Sequence, residues 1–186
     1  MIDQERIARA VREILEAIGE DPRREALVET PARVAATYAE LFSGIDVDPR
    51  DQLSSTFEEG DGELVVVKDL PFASLCEHHL LPFIGVAHIG YVPRGKVVGV
   101  SKLARALQVL AQRPQIQERL TNQTVDLVQE TLNPWGVATV VRAEHLCMTI
   151  RGVQSRGTTV VTSASRGTLE TDPAARSEFL TLVGQN

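Results

Sequence analysis

Apolar residues in this 186-residue chain change their period several times, and the order of those changes limits the fold more than any other feature. Residues 3–18 place Ile7, Val11, Ile14, Leu15 and Ile18 on one helical face, with Gly19 as a suitable stop. A second helix is expected from Thr30 as N-cap and Pro31 at the first helical position, running through Val34, Tyr38, Leu41 and Phe42 to Gly44. Residues 46–62 are rich in Asp, Pro, Ser, Gly and Glu and read as a loop. Beyond them, 64–67 and 83–91 read as strands, Pro93-Arg94-Gly95 as a turn, and Val97-Val98 as a further short strand. Ser101 then reads as the N-cap of a helix bearing Leu103, Ala106, Leu107 and Leu110. Pro114 interrupts it, and another helix is expected from about Gln115 to Leu132. After the turn Asn133-Pro134-Trp135-Gly136, residues 137–150 and 158–162 read as strands. Helices, strands, two helices, strands is an α+β order, with an antiparallel sheet carrying its helices on one side. A boundary is expected in the polar loop, between an N-terminal helical region (1–60) and the main body (61–186).

Composition narrows the class. Apolar residues make up 43% and charged residues 24%, enough to build a core and too apolar for global disorder. No run approaches ~18 apolar residues, so no membrane span is expected. The net charge of -6 argues against a nucleic-acid partner, while leaving room for a local basic pocket that takes a small anion. Asp3, Glu5, Glu13 and Glu16 interrupt the apolar pattern of the first helix, unlike a secretory signal, so a cytoplasmic location is expected.

Only two cysteines are present, and both lie beside histidine: Cys76-Glu77-His78-His79 and His145-Leu146-Cys147. Three of the four histidines share these windows, while His88 sits mid-strand and reads as structural. Thiolate and imidazole are preferred zinc donors, and Cys76 and His79 stand three apart. On a strand, His145 and Cys147 would share a face. Four readings follow from the spacing. Cys76, His79 and Cys147 could hold zinc and leave one position open, as catalytic sites do. His145 could join them in a closed structural site. The cysteines could form a disulfide. Or all these residues could be ordinary core and surface groups.

Longer motifs discriminate further. Cys76-Glu77-His78-His79, Ser101-Lys102-Leu103, the run from Ala111 to Leu120 (Ala-Gln-Arg-Pro-Gln-Ile-Gln-Glu-Arg-Leu), and His145-x-Cys147-x-x-x-Arg151-Gly152 together resemble the GTP cyclohydrolase I family. The similarity extends from Thr30-Pro31-Ala32-Arg33 to Glu178-Phe179-Leu180. It implies a tunnelling fold, in which an antiparallel sheet carries two packed helices after an N-terminal helical region. It also implies a toroidal decamer of two pentamers with active sites between subunits.

The reaction implied is conversion of GTP and water to 7,8-dihydroneopterin triphosphate and formate, the opening step of folate and pterin biosynthesis. Zinc is the implied cofactor, because bulk water is a poor nucleophile and zinc brings the pKa of bound water toward ~7. The resemblance makes Cys76, His79 and Cys147 the ligands, and His78 and His145 the acid/base residues. Glu118 would accept the guanine N1–H and 2-amino protons, with Gln117 beside it. Lys102, Arg105, Arg151 and Arg33 would meet the triphosphate, and Ser101 would assist the later ribose rearrangement. Some family members carry a basic residue three positions after Arg33, where this chain has Ala36; one phosphate contact would then be either lost or replaced by Arg156 or Arg166.

Overall fold

The computed structural model describes residues 1–59 and 62–184, so the expected boundary at 60/61 lies outside the described residues. Helix α1 (Gln4–Ala17) is capped by Asp3, whose carboxylate accepts the Arg6 N–H at 2.9 Å. It packs along α2 (Thr30–Leu41), yet no α1 residue is fully buried. Thr30 is the first residue of α2 rather than its cap; Glu29 precedes the helix and makes no side-chain cap. Gly44 does more than stop this helix: a Cβ there would stand 2.2 Å from the Val109 carbonyl oxygen. Arg113 fixes that approach by donating to the carbonyls of Gly44 (2.8 Å), Val109 (3.2 Å) and Val47 (2.6 Å).

The expected loop over 46–62 holds regular structure among its described residues. It contains a 3-10 turn, Pro49–Leu53, whose Leu53 is buried in the core, and strand β1 (Thr56–Glu58). The remaining strands are β2 (Val65–Cys76), β3 (Pro82–Val92), β4 (Lys96–Val98), β5 (Pro114–Gln115), β6 (Gly136–His145) and β7 (Thr159–Gly167). β1 pairs with β4, and the main sheet has the order β5-β2-β3-β6-β7. Its long pairings are antiparallel; only β5 lies parallel to β2, at Leu75↔Pro114 and Cys76↔Gln115.

Helices α3 (Val100–Ala111) and α4 (Gln117–Leu132) cover one face of the sheet. Leu103, Ala106, Leu107 and Leu110 of α3 and Leu120, Val125 and Val128 of α4 meet Phe83, Ala87, Ile89, Tyr91, Val137, Val141 and Ala143 of the strands. The alternate strand residues look the other way, as the period of two requires. Ala138 and Val140 join Leu169, Phe179 and Val183, from α6 (Thr168–Thr171) and α7 (Pro173–Gly184). The expectation that all helices lie on one side is therefore corrected: α3 and α4 share a face, and the C-terminal helices occupy the other.

Two local expectations also change. Ser101 lies within the first turn of α3, and Gly99 stands at the N-cap position without a side-chain cap. The strand expected over 137–150 ends at His145, and Leu146–Thr149 form a helical turn, α5. A short apolar run such as Leu146-Cys147-Met148 fits either period, and here the backbone curls, with Ile150 N–H reaching Leu146 O at 3.1 Å. His145 and Cys147 consequently do not share a strand face.

Candidate metal centre and its surroundings

Cys76 ends β2 almost fully buried, and the chain turns immediately. Leu80 N–H donates to Cys76 O at 2.8 Å, and Cys76 N–H to Leu81 O at 2.9 Å. Leu80 takes φ +52 to close the turn, which brings His79 back over Cys76. Two ties hold the turn, one to β5 and one to the start of α4. Glu77 N–H donates to Gln115 O at 2.9 Å, and Arg119 grips the Glu77 carboxylate with both terminal nitrogens, at 2.6 and 3.0 Å. That ion pair lowers the Glu77 pKa.

Cys147 arrives from the far side of β3, on α5. Its Sγ and the donor atoms of Cys76 and His79 all lie within 4.8 Å of one another. Three donors on a single zinc stand about 3.5–4 Å apart, given metal–ligand bonds of roughly 2.0–2.3 Å, so small adjustments suffice. The donor chemistry fits as well. Burial raises the Cys147 pKa, and the neighbouring Cys76 raises it further. Two thiolates crowded together need a cation between them. Among the described residues this group comprises three members; His145 is not in it.

His78 and His145 flank the cluster. The Nδ1 of His78 is 3.7 Å from Cys76 Sγ, and the residue is exposed. His145 is half-buried at the end of β6, stacked on Phe83 with ring centroids 4.9 Å apart and planes 7° from parallel. Burial lowers its pKa, and the nearby Glu118 carboxylate acts in the opposite direction. Its Nε2 lies 2.8 Å from Gln117 Oε1.

The architecture and the thiolate–imidazole cluster can now be set beside known proteins. The family model for GTP cyclohydrolase I matches residues 7–184. The chain belongs to the GTP cyclohydrolase I family. The GTP cyclohydrolase 1 of a Geobacillus strain is 57% identical over 183 residues, spanning 98% of this chain and 97% of that protein. Its counterparts in Clostridioides difficile and Bacillus subtilis are each 56% identical, spanning 98% and 96% of this chain and 97% and 95% of their own lengths. Among solved structures, the archaeosine synthase QueF-Like in its apo form aligns with a TM-score of 0.43 at 21% identity, over 56% of this chain and 93% of that one. So loose an overlap adds nothing to the assignment.

Other residues expected in a GTP cyclohydrolase I site are distributed unevenly. Arg151 reaches the cluster, with Nη1 3.4 Å from His79 Nε2. Glu118 is exposed in the first turn of α4, close enough to influence His145. Ser101, Lys102 and Arg105 lie on the first turns of α3, and Arg33 lies on α2, ion-paired with Glu29. Within this single chain, no hydrogen bond or ion pair among the described residues joins those four to the cluster. Arg166 is held by Asp126 (2.9 Å) and Asn122 (3.3 Å), which makes it a poor stand-in for the basic residue absent at Ala36. Gln117 is 1% exposed and its amide is committed to protein groups, so it does not present itself to a ligand. Sequence reasoning missed Phe83, Thr121, Thr162 and the Glu77–Arg119 pair. A signal was present for some of these: Gln117, Thr121 and Thr124 recur at helical spacing on the buried face of α4, where apolar residues belong.

Proposed function

We propose that this member of the GTP cyclohydrolase I family hydrolyses GTP at C8 of the purine and rearranges it to 7,8-dihydroneopterin triphosphate with release of formate. Cys76, His79 and Cys147 would hold zinc. Zinc in that donor set would supply the Lewis acidity that makes hydroxide available near neutral pH. The observation that carries the reading is the convergence of those three donors with two histidines that are not needed as ligands.

The protein's own groups then have distinct work. His78 and His145 move protons to and from the purine nitrogen and the opened ring, imidazole being the side chain suited to both directions near neutral pH. Burial disfavours the charged form of His145, so the ring rests neutral and able to accept. Glu118 offers a bidentate acceptor to the guanine N1–H and 2-amino group. Lys102, Arg105 and Arg151, with Arg33 from a neighbouring subunit, supply the charge that a triphosphate requires. Ser101 serves the ribose stage.

The exposed hydrophobic side chains of Leu80, Ile150 and Val153 around the ligand-bearing turns support assembly around this site, and the decamer of two pentamers with a tunnelling fold is the arrangement we favour. The division into a helical region (1–60) and a catalytic body (61–186), cytoplasmic action and supply of a folate or pterin pathway belong to the same reading. Replacing His145 with alanine tests it. Zinc should remain at wild-type stoichiometry while formate release collapses. Loss of zinc would make His145 a ligand of a closed site, and full turnover would remove its acid/base role.

A further inference from the structure

Beneath His145 lies a buried polar network whose directions can be read from its acceptors. Gln117 opens α4 at 1% exposure, where each polar atom needs a partner. Its Nε2 is 3.1 Å from Val141 O, 3.0 Å from Val160 O and 3.1 Å from Thr162 Oγ1. Backbone carbonyls only accept, so the NH2 end must face them; a flipped amide would set oxygen against two oxygens. Thr121 reinforces this sense, since its hydroxyl donates to Gln117 O at 2.7 Å and meets Thr162 Oγ1 at 2.6 Å. With the Thr121 proton used, Thr162 donates to Thr121 and keeps a lone pair for Gln117. The carbonyl Oε1 of Gln117 is thereby left facing His145 Nε2. An acceptor at that nitrogen requires an N–H there, and the neutral ring then carries its lone pair on Nδ1.

We propose that Gln117 is a positioning residue rather than a substrate contact: it fixes His145 as the Nε2–H tautomer, so that Nδ1 is the nitrogen that accepts and returns protons in the GTP reaction. This rests on the reading of His145 as an acid/base group. The stacked Phe83 ring holds the imidazole plane, and Gln117 sets its edge. Both supports come from the rigid sheet and from α4, so the orientation does not depend on a loop.

The test is nitrogen NMR of zinc-loaded enzyme labelled at histidine, with His145→Ala used to identify the His145 signals. The expected spectrum has a proton on Nε2 and none on Nδ1. Gln117→Met preserves length and removes the acceptor. It should lower kcat roughly 10- to 100-fold, by analogy with the loss of partners that orient metal-ligating histidines, with little change in KM for GTP, and the Nε2–H preference should disappear. A proton on Nδ1 in the wild type would overturn the proposal. So would wild-type kcat in the Met variant, or a raised KM at constant kcat, which would mark Gln117 as a substrate contact. The underlying reading fails separately: full turnover by His145→Ala would cancel the acid/base role whatever the tautomer. If the Met variant does not fold, the wild-type spectrum decides alone, Nε2–H upholding the proposal and Nδ1–H overturning it.

Discussion

Gly85→Ala joins the fold to the site in a single perturbation. Gly85 lies in β3 opposite Ala143 of β6. A Cβ at this position would stand 1.9 Å from the Arg142 carbonyl oxygen, 2.6 Å from Ala143 Cα and 2.8 Å from Ala143 Cβ. None of these is the far end of a flexible side chain, so the strands themselves must part. Forcing a methyl into packed structure costs about 1–3 kcal/mol, and rigid neighbours put this case near the upper end. For a chain of this size, about 3 kcal/mol lowers the melting temperature by roughly 6–12 °C. The effect should reach the chemistry, because the next rung of the same side is Phe83↔His145, where the imidazole stacks. A displacement on the order of 1 Å at a reacting group can cost 100-fold in rate. Thermal unfolding and GTP turnover well below the melting temperature would be measured against wild type and against Gly184→Ala. A Cβ at Gly184 meets nothing within 4 Å, and that variant should behave as wild type. A Gly85→Ala protein with unchanged melting temperature and turnover would refute the reasoning, since it would show that the two strands separate there without cost.

Two further outcomes are expected. His88 is 1% exposed and accepts the Asp69 N–H on Nδ1 at 3.2 Å, and burial lowers its pKa, opposed by Asp69 and assisted by Arg142 and Lys68. The unfolded chain takes this proton near pH 6.5 while the folded chain resists it, so stability should fall as pH drops below ~6.5 and be indifferent to this group above it. NMR titration of His88 in the folded protein checks this, and a midpoint above 6.5 would contradict it. Arg119→Ala should leave the melting temperature nearly unchanged, as exposed ion pairs do, yet loosen the Cys76–His79 turn that Glu77 anchors. Competition with a graded chelator should show weaker zinc retention, and unaltered retention would show that the backbone bonds alone hold the turn.

Much of this was legible in the sequence because period and chemistry were both local. The apolar stripes of α1 and α3 and the alternation in β3 predicted those elements directly, and the Cys-x-x-His spacing predicted a pair that the turn at Leu80 brings together. What depended on tertiary context was not legible. Residues 146–148 are apolar with no decisive period; they curl into a helical turn, and the chain then turns back through Gly152 and Gln154, both at positive φ. The amphipathic signal of α7 is weak, and it packs by Phe179 and Val183 onto a sheet face that sequence reasoning left bare. Gln117 shows the subtlest gap. Its place in a motif marked it as functional, but only the positions of Val141 O, Val160 O and Thr162 show that its amide turns inward.

The most direct test of the central claim is GTP turnover by zinc-loaded protein, scored by formate release and by pterin fluorescence after oxidation, beside a chelator-treated control. The account predicts both products in equal amounts, abolished by chelation and restored by zinc. Formation of neither product by protein carrying one zinc per chain, or undiminished turnover after the metal is stripped, would contradict it.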